Sequence, residues 1–199
     1  MIDQEKGKWG GCSKLAEQRR ITAPFTDDTI RSLKAGDSVL ITGVIYAARD
    51  AAHQRLSETL HRGEELPVDL KGQVVYYVGP SPAKPGEPVC SAGPTTAGRC
   101  DAYTPQLLDY GLKGMIGKGY RSQAVVESMK KNGVVYLVTV GGAAALISRA
   151  IKSYDIVAYG DLGPEAVARM EVVDFPAIVA IDCEGNNFYE VGQAKYCKL

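Results

Sequence analysis

Runs of β-branched and apolar residues alternate along this chain with stretches whose apolar positions recur at helical spacing, and that alternation limits the fold more than any other feature. Ser38 to Tyr46 is rich in Val, Ile and Thr and reads as a buried strand. Asp50 to about His61 reads as an amphipathic helix, because Ala52, Leu56 and Leu60 recur every fourth residue with Gln54, Arg55, Glu58 and Arg62 around them. The same signals predict strands at Gln73 to Val78, Gly114 to Ile116, Val134 to Val140 and Asp155 to Tyr159. They predict helices at Tyr103 to Tyr110, Gln123 to Lys131 and Ala143 to Lys152. Strand and helix in alternation indicate a parallel core with crossover helices.

The flanks carry different signals. Thr26 is a good N-cap for a short helix through Leu33, with Asp27 and Asp28 in a first turn where carboxylates suit the helix dipole. Pro80, Pro82, Pro85 and Pro88 exclude regular structure and predict an ordered loop or flap. In the tail, Ala168 to Val173 and Pro176 to Asp182 are strand-like and Glu184-Gly185-Asn186 reads as a turn. That predicts an antiparallel addition at the sheet edge, or a second sheet. Residues 1–20 are expected to form a loosely ordered extension and 21–199 a single α/β domain with mixed strands.

Lys plus Arg balance Asp plus Glu at 23 each, without a basic block, which removes the electrostatic footprint of a nucleic-acid binder. No apolar run approaches the roughly 18 residues that cross a bilayer, and the N-terminus lacks the apolar centre of a secretory signal. A cytoplasmic location without membrane attachment is the expectation. The cysteines Cys12, Cys90, Cys100, Cys183 and Cys197 show no CxxC pair and no His at metal-ligand spacing, so this chain is expected to bind no metal itself. Cys90 and Cys100 flank a candidate site, which leaves a redox role open beside that of ordinary reduced thiols.

Four constellations could carry chemistry. Arg49-Asp50-Ala51-Ala52-His53 lies where a strand ends and a helix begins, a place that favours anions, and Arg49 would add a forked cation for a carboxylate. A surface Arg paired with a nearby acid is the plainer reading. His53 could orient Arg49 or Asp50, or be a buried structural histidine. Gly93-Pro94-Thr95-Thr96-Ala97-Gly98-Arg99 offers two hydroxyls and an Arg to an oxyanion, although threonine pairs also occur in ordinary turns. Gly117-Lys118-Gly119 holds a point charge between glycines, as surface loops also do. Gly141-Gly142-Ala143 lacks the spacing of a nucleotide loop and fits close helix packing better. Three cations and two hydroxyls suit a small dicarboxylate, and any difficult chemistry would need another chain.

In order and wording these motifs resemble the C-terminal domain, or separate β subunit, of class I iron-sulfur fumarases and the related L-tartrate dehydratases. The resemblance runs from roughly Ile21 to Tyr189. It is carried by Gly36-Asp37 with Thr42-Gly43, Ala48 to His53, Gly93 to Thr96 with Arg99, and Gly114 to Gly119. Gly141 to Ala145, Asp161 to Ala166 and Asp174 to Ala177 continue it. The resemblance implies a three-layer β/β/α swivelling-type domain with a mixed sheet. It further implies a 4Fe-4S cluster carried by a partner α subunit, in a heterotetramer of two α and two β chains, or a homodimer when alone.

The implied reaction is reversible hydration of fumarate to L-malate. Arg49, Arg99 and Lys118 would grip the carboxylates, Thr95 would be the base, Thr96 its hydrogen-bonding neighbour, and Asp50 and His53 would support them. A neutral threonine is a poor base and would need those cations to stabilise its alkoxide. Cys100, where the family pattern has Met, and Cys90, where it often has Gly, place thiols beside the site. Arg49 to His53 and Asp101-Ala102-Tyr103-Thr104-Pro105 favour fumarate over tartrate. An L-tartrate dehydratase β subunit and a non-catalytic dicarboxylate-binding module are the alternatives.

Overall fold

The computed structural model describes residues 18–139 and 142–196. Cys12, Cys197, Gly141 and the expected extension up to residue 17 lie outside the described residues; residues 19 and 20 already belong to the first strand. The described elements are β1 (Arg19–Ala23), α1 (Asp27–Ser32), β2 (Ser38–Ala47), α2 (Asp50–His61), β3 (Val74–Tyr76), α3 (Thr104–Tyr110), β4 (Gly114–Gly117), α4 (Gln123–Asn132), β5 (Val135–Val138), α5 (Ala144–Ser148), β6 (Ile151–Ala158), β7 (Val167–Ile181) and α6 (Phe188–Tyr196). The result is a mixed α/β fold with a mixed sheet, as the sequence predicts.

Strands β1, β2, β3, β4 and β5 pair in parallel in that spatial order, and the crossovers between β2, β3, β4 and β5 carry α2, α3 and α4. Strand β7 runs antiparallel to β2 along one side and to β5 and β6 along the other. Pairing therefore closes from β2 through β3, β4, β5 and β7 back to β2. The tail is not an edge addition: β7 is one strand of 15 residues between β2 and its other neighbours. Its two expected pieces are joined through Asp174, whose φ of 49° bends the strand while its N–H is taken by the Thr42 hydroxyl at 3.1 Å.

Side chains of β3 to β5 alternate between two apolar clusters. Val74, Tyr76, Ile116, Val135 and Leu137 face inward with Ile41, Ile45, Met170, Phe175 and Val179 of β2 and β7. Val75, Met115 and Tyr136 face the opposite way, against Leu56 of α2, Leu107 and Leu108 of α3, and Val125 and Met129 of α4. Burial on both faces is why these strands read as continuous apolar runs. One helix is shorter than predicted: α5 ends at Ser148, and Ile151 already pairs with Val172 as the start of β6.

Candidate active site

Parallel pairing puts Ala47, Tyr76, Ile116 and Leu137 side by side, so the chain leaves β2, β3, β4 and β5 at one common edge. Carboxyl ends of parallel strands are where α/β folds place ligands, and every site residue expected from the sequence follows one of these ends.

Arg49 leaves β2 as the N-cap residue of α2. Its Nη2 lies 3.5 Å from Glu165 Oε1 and its Nε 3.5 Å from Asp50 Oδ1, and that buried Nε makes no aligned hydrogen bond. These are loose contacts that a bound carboxylate could replace. Glu165 also accepts the Ala51 N–H at 3.4 Å, placing a carboxylate at the positive end of α2. Sequence reasoning included Glu165 in the Asp161 to Ala166 wording but gave it no role, because it closes a 3-10 segment far along the chain from Arg49.

His53 is fully buried one turn into α2. Its Nδ1 lies 2.8 Å from the Arg49 carbonyl, so the proton belongs on Nδ1, and its ring meets Tyr77 edge-on at 5.0 Å. Nε2 is buried without a partner. Burial pushes the imidazole down to about 4, with the Arg121 charge adding to the effect, so His53 is neutral near pH 7. It holds the first turn of α2 through the Arg49 backbone and does not grip Asp50.

The Pro-rich segment delivers Thr95 to the strand ends. Its N–H and its hydroxyl both donate to the Tyr77 carbonyl, at 2.8 and 2.9 Å. With the hydroxyl proton held there, the oxygen's lone pairs are free for another donor. Forming an alkoxide in this rotamer would set two oxygens against each other at that distance, so a base must turn away from Tyr77. Thr96 bridges to Lys118: Lys118 N–H donates to the Thr95 carbonyl at 3.2 Å and Ala97 N–H to the Lys118 carbonyl at 2.9 Å. Arg99 follows in the 3-10 turn Ala97–Cys100. Thr96, Arg99 and Lys118 are exposed, and neither Arg99 nor Lys118 enters an ion pair among the described residues. These two cations can bind a small carboxylate without first giving up an ion-pair partner, whereas the Thr95 hydroxyl would have to leave the Tyr77 carbonyl to donate to one.

The thiol of Cys100 fits a passive role better. Cys100 is buried, and desolvation pushes it up to about 12, far from thiolate at physiological pH. Among the described residues no group of three or more Cys, His, Asp or Glu gathers as a metal site.

The larger omission is Arg121. Its side chain is fully buried, with Nη2 donating to the Thr104 hydroxyl and Nε 2.8 Å from Asp101 Oδ1, an ion pair off the hydrogen-bond direction. Burying a charge costs several kcal/mol on the order expected for one ion, so its partners need explanation. Only the position two residues beyond the Gly117-Lys118-Gly119 loop hinted at a role, and an Arg there reads as surface.

The fumarase C-terminus family model matches residues 4–192. An anaerobic class I fumarate hydratase of Escherichia coli is 43% identical over 159 residues, covering 79% of this chain and 29% of that protein. The chain thus spans about a third or less of the length of the curated fumarate hydratases that it matches. From Methanocaldococcus jannaschii, a "Putative L(+)-tartrate dehydratase subunit beta" is 40% identical over 182 residues, covering 88% of this chain and 93% of that protein. With the match spanning nearly the whole chain, the protein belongs to the fumarase C-terminus family.

Proposed function

We propose that this chain is the β subunit of an iron-sulfur hydro-lyase that interconverts fumarate and L-malate in the cytoplasm, at a site shared with a cluster-bearing α subunit in a heterotetramer. The observation that carries the reading is the open cationic edge in a member of this family. Arg99, Lys118 and Thr96 are exposed, whereas a small dicarboxylate needs enclosure and a second reactive surface. A relative named as a separate subunit, matched over 93% of its length, supports the division into two chains. The three-layer β/β/α swivelling form belongs to the same proposal, supported by the apolar clusters on both faces of β3 to β5.

In this reading Arg99 and Lys118 bind the two carboxylates and Arg49 joins them by exchanging Glu165 and Asp50 for substrate. Thr96 donates to a carboxylate oxygen. Thr95, turned away from Tyr77 and ionised to its alkoxide by loss of the hydroxyl proton to solvent, takes the proton from carbon and becomes the hydroxyl again, and the neighbouring cations stabilise the alkoxide. Asp50 and His53 support Arg49, from its side chain and its backbone respectively. The cluster, held by the α subunit, supplies Lewis-acid chemistry.

L-tartrate dehydration is the second reading, favoured by the name of the M. jannaschii relative. Mixing the purified chain with the cluster subunit and following fumarate, L-malate and L-tartrate decides between them. Fumarate hydration by the mixture and by neither chain alone is expected. A stable complex that turns over none of the three would leave only a dicarboxylate-binding module. A stoichiometric cluster bound by this chain would overturn the subunit assignment.

A further inference from the structure

Three segments of the site meet beneath the surface at one side chain. The Arg121 guanidinium lies 5.2 Å from the ring centroids of both Tyr77 and Tyr136. Tyr77 carries Thr95, whose N–H and hydroxyl it accepts, and its ring packs on Gly117, where an added Cβ would come within 2.9 Å of Cδ2. The Tyr136 hydroxyl donates to the Gly119 carbonyl at 3.0 Å, tying down the far side of Lys118. Asp101, 2.8 Å from Arg121 Nε, closes the 3-10 turn that carries Arg99, and its other oxygen accepts the Ser122 N–H at 2.6 Å.

We infer that Arg121 is a positioning residue that fixes Thr95, Arg99 and Lys118 relative to one another. Its catalytic consequence rests on the hydro-lyase reading; its mechanical one does not. Only a guanidinium meets these demands together, because its planar fork faces two aromatic rings while its edge reaches a carboxylate and a hydroxyl. A lysine keeps the charge but is a single point. Burial pushes the Tyr77 and Tyr136 phenols up, so both rings stay neutral. Apolar side chains often replace buried ion pairs without loss of stability, so folding alone does not demand a guanidinium here.

The test uses Arg121→Met in the full-length chain. Because that variant leaves the partly buried Asp101 carboxylate without its cation, Arg121→Met with Asp101→Asn is made beside it. Hydrogen exchange on the isolated chain should quicken at least about tenfold at Thr95 to Arg99 and Gly117 to Gly119, with β2 and β7 unchanged. In the complex with the cluster subunit, kcat should fall about 10²-fold, the cost of a small misplacement, while KM moves less than about threefold. Arg121→Lys should recover part of kcat. Unchanged exchange at those amides in a folded variant, or equal loosening of β2 and β7, overturns the inference. An inactive wild-type complex would count against the hydro-lyase reading, and the exchange result would still decide the inference.

Discussion

His53 is held neutral by its surroundings, and folding stability must follow. Its folded value of about 4 lies below the ordinary 6.5, so between these values the unfolded chain binds more protons than the folded one. Stability contributed by the neutral ring is full above about pH 6.5 and is lost as pH falls towards 4, in total about 3 kcal/mol. Urea unfolding across this window should show the loss in wild type and a shallower slope in His53→Gln. Parallel slopes would mean that the imidazole is protonated in the folded chain. Thr95 makes a different claim. In the reconstituted enzyme Thr95→Val should lower kcat by about 10²–10⁴-fold with little change in KM, the range for a lost general base. Arg99→Met should chiefly raise KM. Near-normal kcat in Thr95→Val would make the hydroxyl a positioning group, as its bond to the Tyr77 carbonyl already makes it in the free chain. Arg49 and Lys118 could be picked out of the sequence because local wording marks a strand end, and Thr95 because glycines flank a pair of hydroxyls followed by an Arg. The roles of Glu165 and Arg121 could not be read, because their partners are brought to them by the fold.

Elements fixed by short-range chemistry were readable, and those fixed by pairing were not. The first turn of α1 follows from Thr26, whose hydroxyl accepts the Thr29 N–H at 3.1 Å, and α2 runs over the predicted residues because its apolar spacing is regular. The end of α5 is set from outside: residues with helical spacing are drawn into β6 because β7 offers an unpaired edge. Likewise the bend at Asp174 that makes β7 continuous answers an irregularity in β2 between Ile41 and Gly43. Gly43 has φ +127°, and a Cβ there would collide with the Ala23 carbonyl of β1. Gly43→Ala should therefore cost at least about 2 kcal/mol through strain and displacement of β1. Thr26→Ala should cost about 1 kcal/mol, the usual value of a cap. Denaturant midpoints for the two variants rank them, and a tolerated Gly43→Ala would show that β1 is not held tightly against β2.

At the scale of the molecule the candidate site occupies one edge of the sheet and is open to solvent, so whatever completes it must cover that edge. Lys118 sits there, exposed and free of any ion pair among the described residues. Lys71 precedes β3 and Lys131 lies near the end of α4, shortly before β5, so both belong to the opposite edge, where the parallel strands begin. All three are exposed and should react with an amine-acetylating reagent at similar rates in the isolated chain. Addition of the cluster subunit should slow Lys118 at least about tenfold, because the core of a protein interface excludes solvent, and leave Lys71 and Lys131 unchanged. Mass spectrometry of the acetylated peptides reads the three sites in one experiment. Protection at Lys71 or Lys131 with Lys118 still reactive would place the partner on the wrong edge, and the shared-site reading would fall even if a complex formed.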